Sequence, residues 1–209
     1  HALWAPTGYS YKLSAGHNGA WNTVQDTDAL TIGEWNFVAV TYNPDVASGT
    51  MVLYKNGTQI DNATGIAVQN ESTTTYVGRY GGGNNWIGSI DEVAIWNEAL
   101  TAAEITALYN SGNELNADAN YENYSSTPNL VGYWKMNEGS GSSVLDSSPN
   151  SNTGTLVNGP TWVDGPTTSS GISSGSTINL SSYTNNEFLN NGDLTLSNVT
   201  VNGPGVFVV

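Results

Sequence analysis

Oxygen-bearing side chains crowd one short segment of the chain, residues 146–154, in which Asp146 is followed by SSPNSNTG. Hard cations such as Ca²⁺ need several oxygen ligands, which proteins supply as carboxylate, amide and backbone carbonyl oxygens. A tight loop of this composition therefore favours a calcium site. The alternative is that its acid and amide side chains only fold the loop on itself, as Asx turns do.

A second candidate site is the loop RYGGGNNW at residues 79–86. Sugar recognition usually combines an exposed aromatic ring for stacking with amide and carboxylate groups for hydrogen bonding. This loop has that composition, and one more tryptophan could line the same rim. The alternative is that the tryptophans pack inside the protein, as most aromatic residues of a β-sandwich do. The residues that we expect to bind a glycan or cell-surface polysaccharide are Arg79, Tyr80, Asn84, Asn85, Trp86 and Trp21.

The acids and histidines do not fall into a catalytic pattern. Glycoside hydrolases need two carboxylates that face each other across a cleft. On a strand at residues 89–93, Asp91 and Glu92 are adjacent, so their side chains should point to opposite faces of the sheet. His1 and His17 are accompanied by no paired nucleophile. The sequence therefore predicts no enzymatic activity.

Charge and composition argue against two kinds of partner. The chain has 209 residues and a formal net charge of −14, which disfavours binding to a phosphate backbone. No apolar run approaches the ~20 residues that a membrane-spanning helix needs. Cysteine is absent from the sequence, so it has no disulfide framework and no thiolate metal site. We expect neither a nucleic acid partner nor membrane insertion.

The elements that position the candidate residues are predicted to be mostly β-strands. Residues 35–42 form a long β-rich run, and Asn56-Gly57 within 51–60 is a strong type I′ hairpin signal. Three tryptophans lie in apolar runs and should belong to the core: Trp35, Trp96 and Trp134. Three acids are weaker calcium candidates that we expect to be solvated in loops: Asp26, Asp28 and Asp45.

One short helix is predicted after the strand at residues 90–97, which carries apolar residues on both faces. Thr101 and Glu104 have the spacing of a capping box, in which each side chain binds the backbone N–H of the other residue. Apolar residues follow at helical spacing, and Gly112 supplies a stop. The pattern predicts a helix near residues 101–110.

Several segments, in this order, resemble the laminin G-like family of concanavalin A-type jelly rolls, roughly over residues 8–165. The resemblance implies an all-β fold: an antiparallel jelly-roll β-sandwich with one short helix, followed by a small β-rich C-terminal segment. The segments that carry it are GEWNFVAVTYN at 33–43, MVLYKNGTQI at 51–60, TYVGRY at 75–80, GSIDEVAIWNEALTAAEITALYNSG at 88–112 and residues 130–165, which begin LVGYWKMNEGSG and end TLVNGPTWVDG.

The resemblance also implies which oxygens would hold calcium. In some family members a loop similar to residues 146–154 contributes to a calcium site, and an acid from the strand before the helix is a suitable partner. Pro149 and Ser151 stand where the family loop usually has glycine. The metal candidates that follow are Asp91, Asp146, Asn150 and Asn152.

The order of the segments predicts the domain organisation. Residues 1–112 read as a jelly roll without its first strands, 113–129 as a connector, and 130–165 as the opening of such a domain. The segment 130–165 either folds back on the first domain or begins a second copy. We favour folding back, because nothing after residue 165 resembles the rest of a second copy. Residues 166–175 read as a linker, and 176–209 as a β-repeat or solenoid-like segment.

Two classes of function remain. The first is a non-catalytic carbohydrate-binding or adhesion module of a large extracellular or surface multi-domain protein, with Ca²⁺ as its cofactor. The second is a structural or assembly module of a surface filament, adhesin or phage appendage, which would contact other protein subunits. Both roles predict an extracellular, cell-surface or virion-surface location, and the fold alone cannot choose between them.

Overall fold

The computed structural model of the chain contains two compact units, His1–Thr167 and Thr168–Val209. In the second unit, the described residues are two short strands, Thr177–Asn179 and Thr200–Asn202, which pair in parallel. The predicted linker at 166–175 lies outside the described residues. The structure describes residues 2–4, 12–17, 20–31, 33–67, 75–80, 84–112, 115–163, 165, 177–179 and 200–202.

The first unit begins with two antiparallel sheets of three strands each. In each sheet the chain order is also the spatial order, so each strand pairs with the one before it. The first sheet consists of β1 (Ala2–Trp4), β2 (Lys12–His17) and β3 (Ala20–Ala29). The second consists of β4 (Val38–Asn43), β5 (Thr50–Lys55) and β6 (Thr58–Thr64).

The turn between β5 and β6 confirms the predicted hairpin. Asn56 and Gly57 both have positive φ, 50° and 75°, as a type I′ turn requires. Gly57 has a second reason to be glycine, because a Cβ built on it would lie 2.8 Å from Cδ1 of Tyr109. The turn therefore joins two strands and also allows the helix to approach them closely.

Strand β5 separates two hydrophobic cores, because successive side chains on a strand point to opposite faces. Met51 and Leu53 belong to one core, and Val52 and Tyr54 to the other. The first core also contains buried residues of β2 and β3 and the loop after β6: Leu13, Ala15, Val24 and Ile66. The second is built with the helix and the segments after it: Leu100, Ile105, Ala107, Leu108, Ala117, Tyr124, Leu130 and Tyr133.

The short helix follows strand β9 (Val93–Trp96) and confirms the predicted capping box. The helix α1 (Ala102–Tyr109) has Thr101 as its N-cap, and both reciprocal bonds with Glu104 are formed. The helix lies within the predicted range 101–110, and its C-cap is Asn110 rather than Gly112. Asn110 takes the left-handed conformation at the C-cap (φ 46°, ψ 38°), which asparagine tolerates better than most residues.

Residues after the helix contribute further strands to the first unit. Strand β10 (Leu130–Trp134) pairs antiparallel with β9, with Tyr133 opposite Ala94. Two short strands, β11 (Ser143–Val144) and β12 (Gly154–Thr155), then form a ladder of their own. The segment that resembles a domain opening thus lies beside the strand that precedes the helix.

Two expectations about burial are wrong. The apolar run around Trp35 predicts a core residue, but Trp35 precedes β4 and its side chain is 47% exposed. The local composition predicts a solvated loop at Asp26, but this acid lies on β3, is only 4% exposed and forms an ion pair with Lys55 of β5. The partner is 29 residues away in sequence, so local composition does not reveal it.

Candidate functional site

Asp146 is the centre of the loop that the sequence predicts to bind calcium. Its Oδ1 accepts hydrogen bonds from the backbone N–H groups of Tyr133 and Ser148, both at 2.8 Å. Its Oδ2 accepts from the Asn152 N–H at 2.7 Å and from the Ser148 hydroxyl at 2.9 Å. A carboxylate has about four lone-pair sites. All four are therefore used by protein donors.

These hydrogen bonds also set the charge of Asp146. Burial alone would raise the pKa of this carboxyl, but the bonds from the backbone of Tyr133, Asn152 and Ser148 favour the ionised form and outweigh it. The net effect is a pKa below the ordinary aspartate value. Asp146 is thus held as a carboxylate by N–H and O–H donors.

The amides of the same loop bind strand β10. Asn150 Nδ2 donates to the carbonyl oxygens of Leu130 at 3.1 Å and Val131 at 3.0 Å. Asn152 Nδ2 donates to Val131 O at 2.8 Å. The asparagines therefore fasten the loop to the strand. We call this set of contacts, made by residues 146–152 with β10, the loop clasp.

Three of the predicted calcium ligands, Asp146, Asn150 and Asn152, make hydrogen bonds within the loop clasp. The carboxylate oxygens of Asp146 are taken by donors, and the amide nitrogens of the two asparagines point to a shared carbonyl. Among the described residues, no group of three or more His, Cys, Asp and Glu side chains could hold a metal ion. Calcium at this loop stays a prediction.

Asp91, the expected calcium partner, lies near Gly165, the last residue of the segment 130–165. Its Oδ1 accepts the Glu92 N–H at 3.2 Å. Its Oδ2 lies close to Gly165, where a Cβ would be only 2.6 Å away. The side chain is therefore packed against backbone at residue 165.

Glu92 shows that the regular strand expected at residues 89–93 is wrong. Strand β9 begins at Val93, and Glu92 has a φ of +53°. Its Oε2 accepts a hydrogen bond from the hydroxyl of Tyr133, a fully buried residue. Burial, and next the neighbouring Glu92 carboxyl, raise the pKa of Tyr133 far above its ordinary value. The alternation argument about the two acids therefore does not apply, and Glu92 is a partner of a buried phenol.

The predicted glycan loop is a short β-hairpin. Its strands are β7 (Arg79–Tyr80) and β8 (Asn84–Asn85), and the register places Arg79 opposite Asn85 and Tyr80 opposite Asn84. The backbone thus brings these four candidates together. Their side chains, and that of Trp21 on β3, lie outside the described part of the structure.

Trp86 follows the hairpin directly, and its side chain is 40% exposed. Its backbone N–H donates to Gly78 O at 2.8 Å, and its Nε1 donates to Ser89 O at 3.3 Å. Both ends of the residue are therefore held while part of the ring faces solvent. Three apolar residues close to Trp86 in sequence are also exposed, and we call the four residues together the Trp86 patch: Tyr76, Val77, Trp86 and Ile87.

The two sheets, the helix and the hairpin define an all-β sandwich of the concanavalin A type. A family profile described as the concanavalin A-like lectin/glucanases superfamily, laminin G type, matches residues 2–106, half of the chain. The chain belongs to this superfamily. A search among curated proteins finds no match.

Two solved structures are similar to this chain. One is a protein from Bacteroides ovatus that carries the provisional description of a carbohydrate binding protein. It is 21% identical, with a TM-score of 0.50, and the match covers 73% of this chain and 43% of that one. The other, an S-layer domain-containing protein from Clostridium thermocellum, is 27% identical over 47% of this chain and 50% of its own, with a TM-score of 0.35. The first likeness supports the fold.

Proposed function

We propose that this chain is a non-catalytic carbohydrate-binding module of an extracellular or cell-surface protein, and that it binds sugar at the Trp86 patch. The observation that carries the proposal is a tryptophan ring that is held at both ends and remains 40% exposed. The sandwich of a superfamily that includes lectins supports it. In the described residues no helix is long and apolar enough to cross a membrane.

The geometry of Trp86 suits a sugar ring. A pyranose presents C–H groups on one face, which pack on an aromatic ring, while its hydroxyls need polar partners at the rim. The hydrogen bond from Nε1 to Ser89 O restricts rotation of the indole, so little side-chain entropy is lost when a ligand stacks on it. The hairpin residues beside it, by their backbone register, include two asparagines and an arginine.

The proposal that the module is non-catalytic rests on how its carboxylates are used. Glycoside hydrolysis requires one carboxylic acid and one carboxylate that face the scissile bond. Glu92 is bound to a buried tyrosine hydroxyl, Glu104 caps the helix, and Asp146 holds the loop clasp. Each of the three serves the fold, and we expect no turnover of polysaccharide.

We propose that binding does not require calcium. The loop clasp already satisfies Asp146 with protein donors, and a cation would have to displace them.

We also propose that residues 130–165 complete the jelly roll, because β10 pairs with β9 and Tyr133 lies in the same core as the helix. The loop clasp lies within residues 130–165, so we assign the whole segment to the scaffold of the sandwich and not to the sugar-binding site.

The alternative is an assembly module that contacts protein. Exposed apolar residues such as Val77 and Ile87 favour it, because exposed apolar surface can mark a protein contact. In that case the chain would self-associate or bind a partner through the same surface, and replacing Ile87 would matter as much as replacing Trp86.

A glycan array with the 209-residue chain separates the two functions. The proposal predicts binding to at least one glycan in calcium and in chelator alike. Trp86→Ala should weaken it at least about tenfold, as expected when a central aromatic residue is removed. Trp35→Ala is the matched control, because this tryptophan is also about half exposed and precedes a different strand. Absence of any glycan binding, together with self-association that Ile87→Ser abolishes, would favour the assembly module.

A further inference from the structure

A cleft lies between the end of helix α1 and strand β10. Its volume is about 530 Å³. Four of its lining residues are polar or charged, and the other two are small or aliphatic. The lining residues are Asn110, Leu115, Asn116, Asp118, Ala119 and Lys135.

One wall of the cleft is the segment 115–119, which is neither helix nor strand but is hydrogen-bonded to buried side chains of the core. The hydroxyl of Tyr133 lies 2.8 Å from Leu115 O and shares its one proton between this carbonyl and the Glu92 carboxylate, and the hydroxyl of Tyr124 donates to Ala117 O at 2.8 Å. Both tyrosines are buried in the core behind the wall. Two buried hydroxyls therefore fix the backbone of a segment that has no strand or helix to hold it.

This anchoring decides which side chains face the cleft. Ala117 is fully buried, whereas its neighbours Asn116 and Asp118 are exposed. The small residue thus enters the core, and the amide and the carboxylate on either side of it line the cleft. Such presentation of polar groups by a rigid backbone is what a binding site needs.

Lys135, which directly follows β10, supplies the positive charge of the cleft. Its Nζ lies 2.9 Å from Asp118 Oδ2 and 5.2 Å from the centre of the Tyr133 ring. Both charged side chains remain 35% exposed. The ammonium is therefore held in place by the carboxylate and by an aromatic face, while both groups can still reach a ligand.

The charges select a neutral ligand. Lys135 is neutralised by Asp118, and an anion would have to break this pair in a chain with a net charge of −14. A carboxylate beside an ammonium instead matches two adjacent hydroxyls of a sugar. One hydroxyl donates to Asp118, and the next accepts from Lys135. Leu115 and Ala119 offer apolar surface for the C–H groups of the same ring.

We infer that this cleft is a second sugar-binding site, which takes a neutral unit with vicinal hydroxyls through Asn116, Asp118 and Lys135. The inference rests on the proposed function, since it assumes a carbohydrate-binding module. Two sites on one module would let it hold two points of a polysaccharide chain, or two chains, and so raise avidity.

The test is affinity electrophoresis of the 209-residue chain in native gels that contain a soluble polysaccharide. The probes are laminarin, galactomannan and xyloglucan, which are neutral, and alginate, which is anionic. Asn116→Ala leaves the charge unchanged, so any change in its relative mobility reports binding. Asn97→Ala is its control, because Asn97 is an exposed asparagine outside the cleft. Lys135→Met removes the ammonium, with its mobility normalised to a gel without polysaccharide.

We expect a neutral polysaccharide to retard the chain, and both cleft variants to weaken retardation at least about fivefold, which corresponds to the loss of one ordinary hydrogen bond. Asn97→Ala should behave as the unaltered chain. Retardation that only Trp86→Ala reduces would overturn the cleft and leave the proposed function standing. Retardation by alginate alone would overturn the neutral ligand class. No retardation by any probe would overturn the proposed function and the cleft with it.

Discussion

Replacing Asp146 by asparagine tests whether its carboxylate holds the loop clasp together. The carboxylate accepts four hydrogen bonds, three of them from backbone N–H groups. Asparagine keeps one acceptor oxygen and replaces the other by an NH₂ group, which cannot accept. At least one backbone N–H of the clasp then loses its acceptor, whichever way the amide is turned.

The magnitude follows from the number of bonds affected. A hydrogen bond to a charged group contributes about 1.5–3 kcal/mol net. Two bonds lose their acceptor, and water can partly replace them because the side chain is only half-buried. We therefore expect Asp146→Asn to lower the free energy of unfolding by roughly 3 kcal/mol. For a unit of this size, that corresponds to a decrease in Tm of about 6–12 °C.

The assay is urea unfolding followed by tryptophan fluorescence, with Asp45→Asn, a change at an exposed acid, as the control. The pKa of Asp146 is lower in the folded state, so its stabilisation is complete above the unfolded-state pKa. It is lost as the pH falls through the folded-state pKa. The difference in unfolding free energy between the unaltered chain and Asp146→Asn should therefore shrink below about pH 4.

Two results would refute this reasoning. Equal stability of Asp146→Asn and Asp45→Asn would show that the four hydrogen bonds do not stabilise the fold. A rise in Tm on adding Ca²⁺ that occurs in the unaltered chain and is absent from Asp146→Asn would show that the loop is a calcium site after all.

Two further changes test the scaffold. Gly57→Ala should destabilise the chain by about 1–3 kcal/mol, because φ is +75° and the new Cβ would meet the ring of Tyr109. Urea unfolding measures this loss of stability. An unchanged midpoint would contradict the type I′ turn. Glu104→Gln should cost about 2–3 kcal/mol, because the carboxylate caps α1 and accepts from Ser126. Burial raises the pKa of Glu104, but these hydrogen bonds outweigh it and lower it, so the loss should fade as the pH falls through the folded-state pKa. Equal effects of Glu104→Gln and the exposed Glu98→Gln would refute the cap.

Features that depend on neighbours in sequence could be predicted. The capping box needs only residues three apart, and the Asn56-Gly57 turn needs only two residues with positive φ. Both are present as expected. The order of longer segments was enough to indicate the superfamily, which the family profile supports over residues 2–106.

Features that depend on distant contacts could not be predicted. Asp26 is buried beside Lys55, which reaches it from another sheet and forms an ion pair with it. The conformation of Glu92 is tied to Tyr133, 41 residues later. Composition indicated a solvated acid and a regular strand, because neither partner is visible in the local pattern.

The same distinction between local pattern and distant contacts applies to the candidate sites. The oxygen-rich composition of residues 146–154 was evident, but whether those oxygens face a cation or backbone N–H groups depends on how the loop meets β10. The cleft was missed, because the polar connector that supplies Asn116 and Asp118 gave no sign that two buried tyrosines fix its backbone.

The central claim, that this sandwich binds sugar through Trp86, is tested most directly by measuring glycan affinity for the unaltered chain, Trp86→Ala and Trp35→Ala. We predict a glycan that binds equally in Ca²⁺ and chelator, an affinity at least about tenfold lower for Trp86→Ala, and no change for Trp35→Ala. Equal affinity of all three chains for the same glycan, or no glycan binding by any of them, would contradict it.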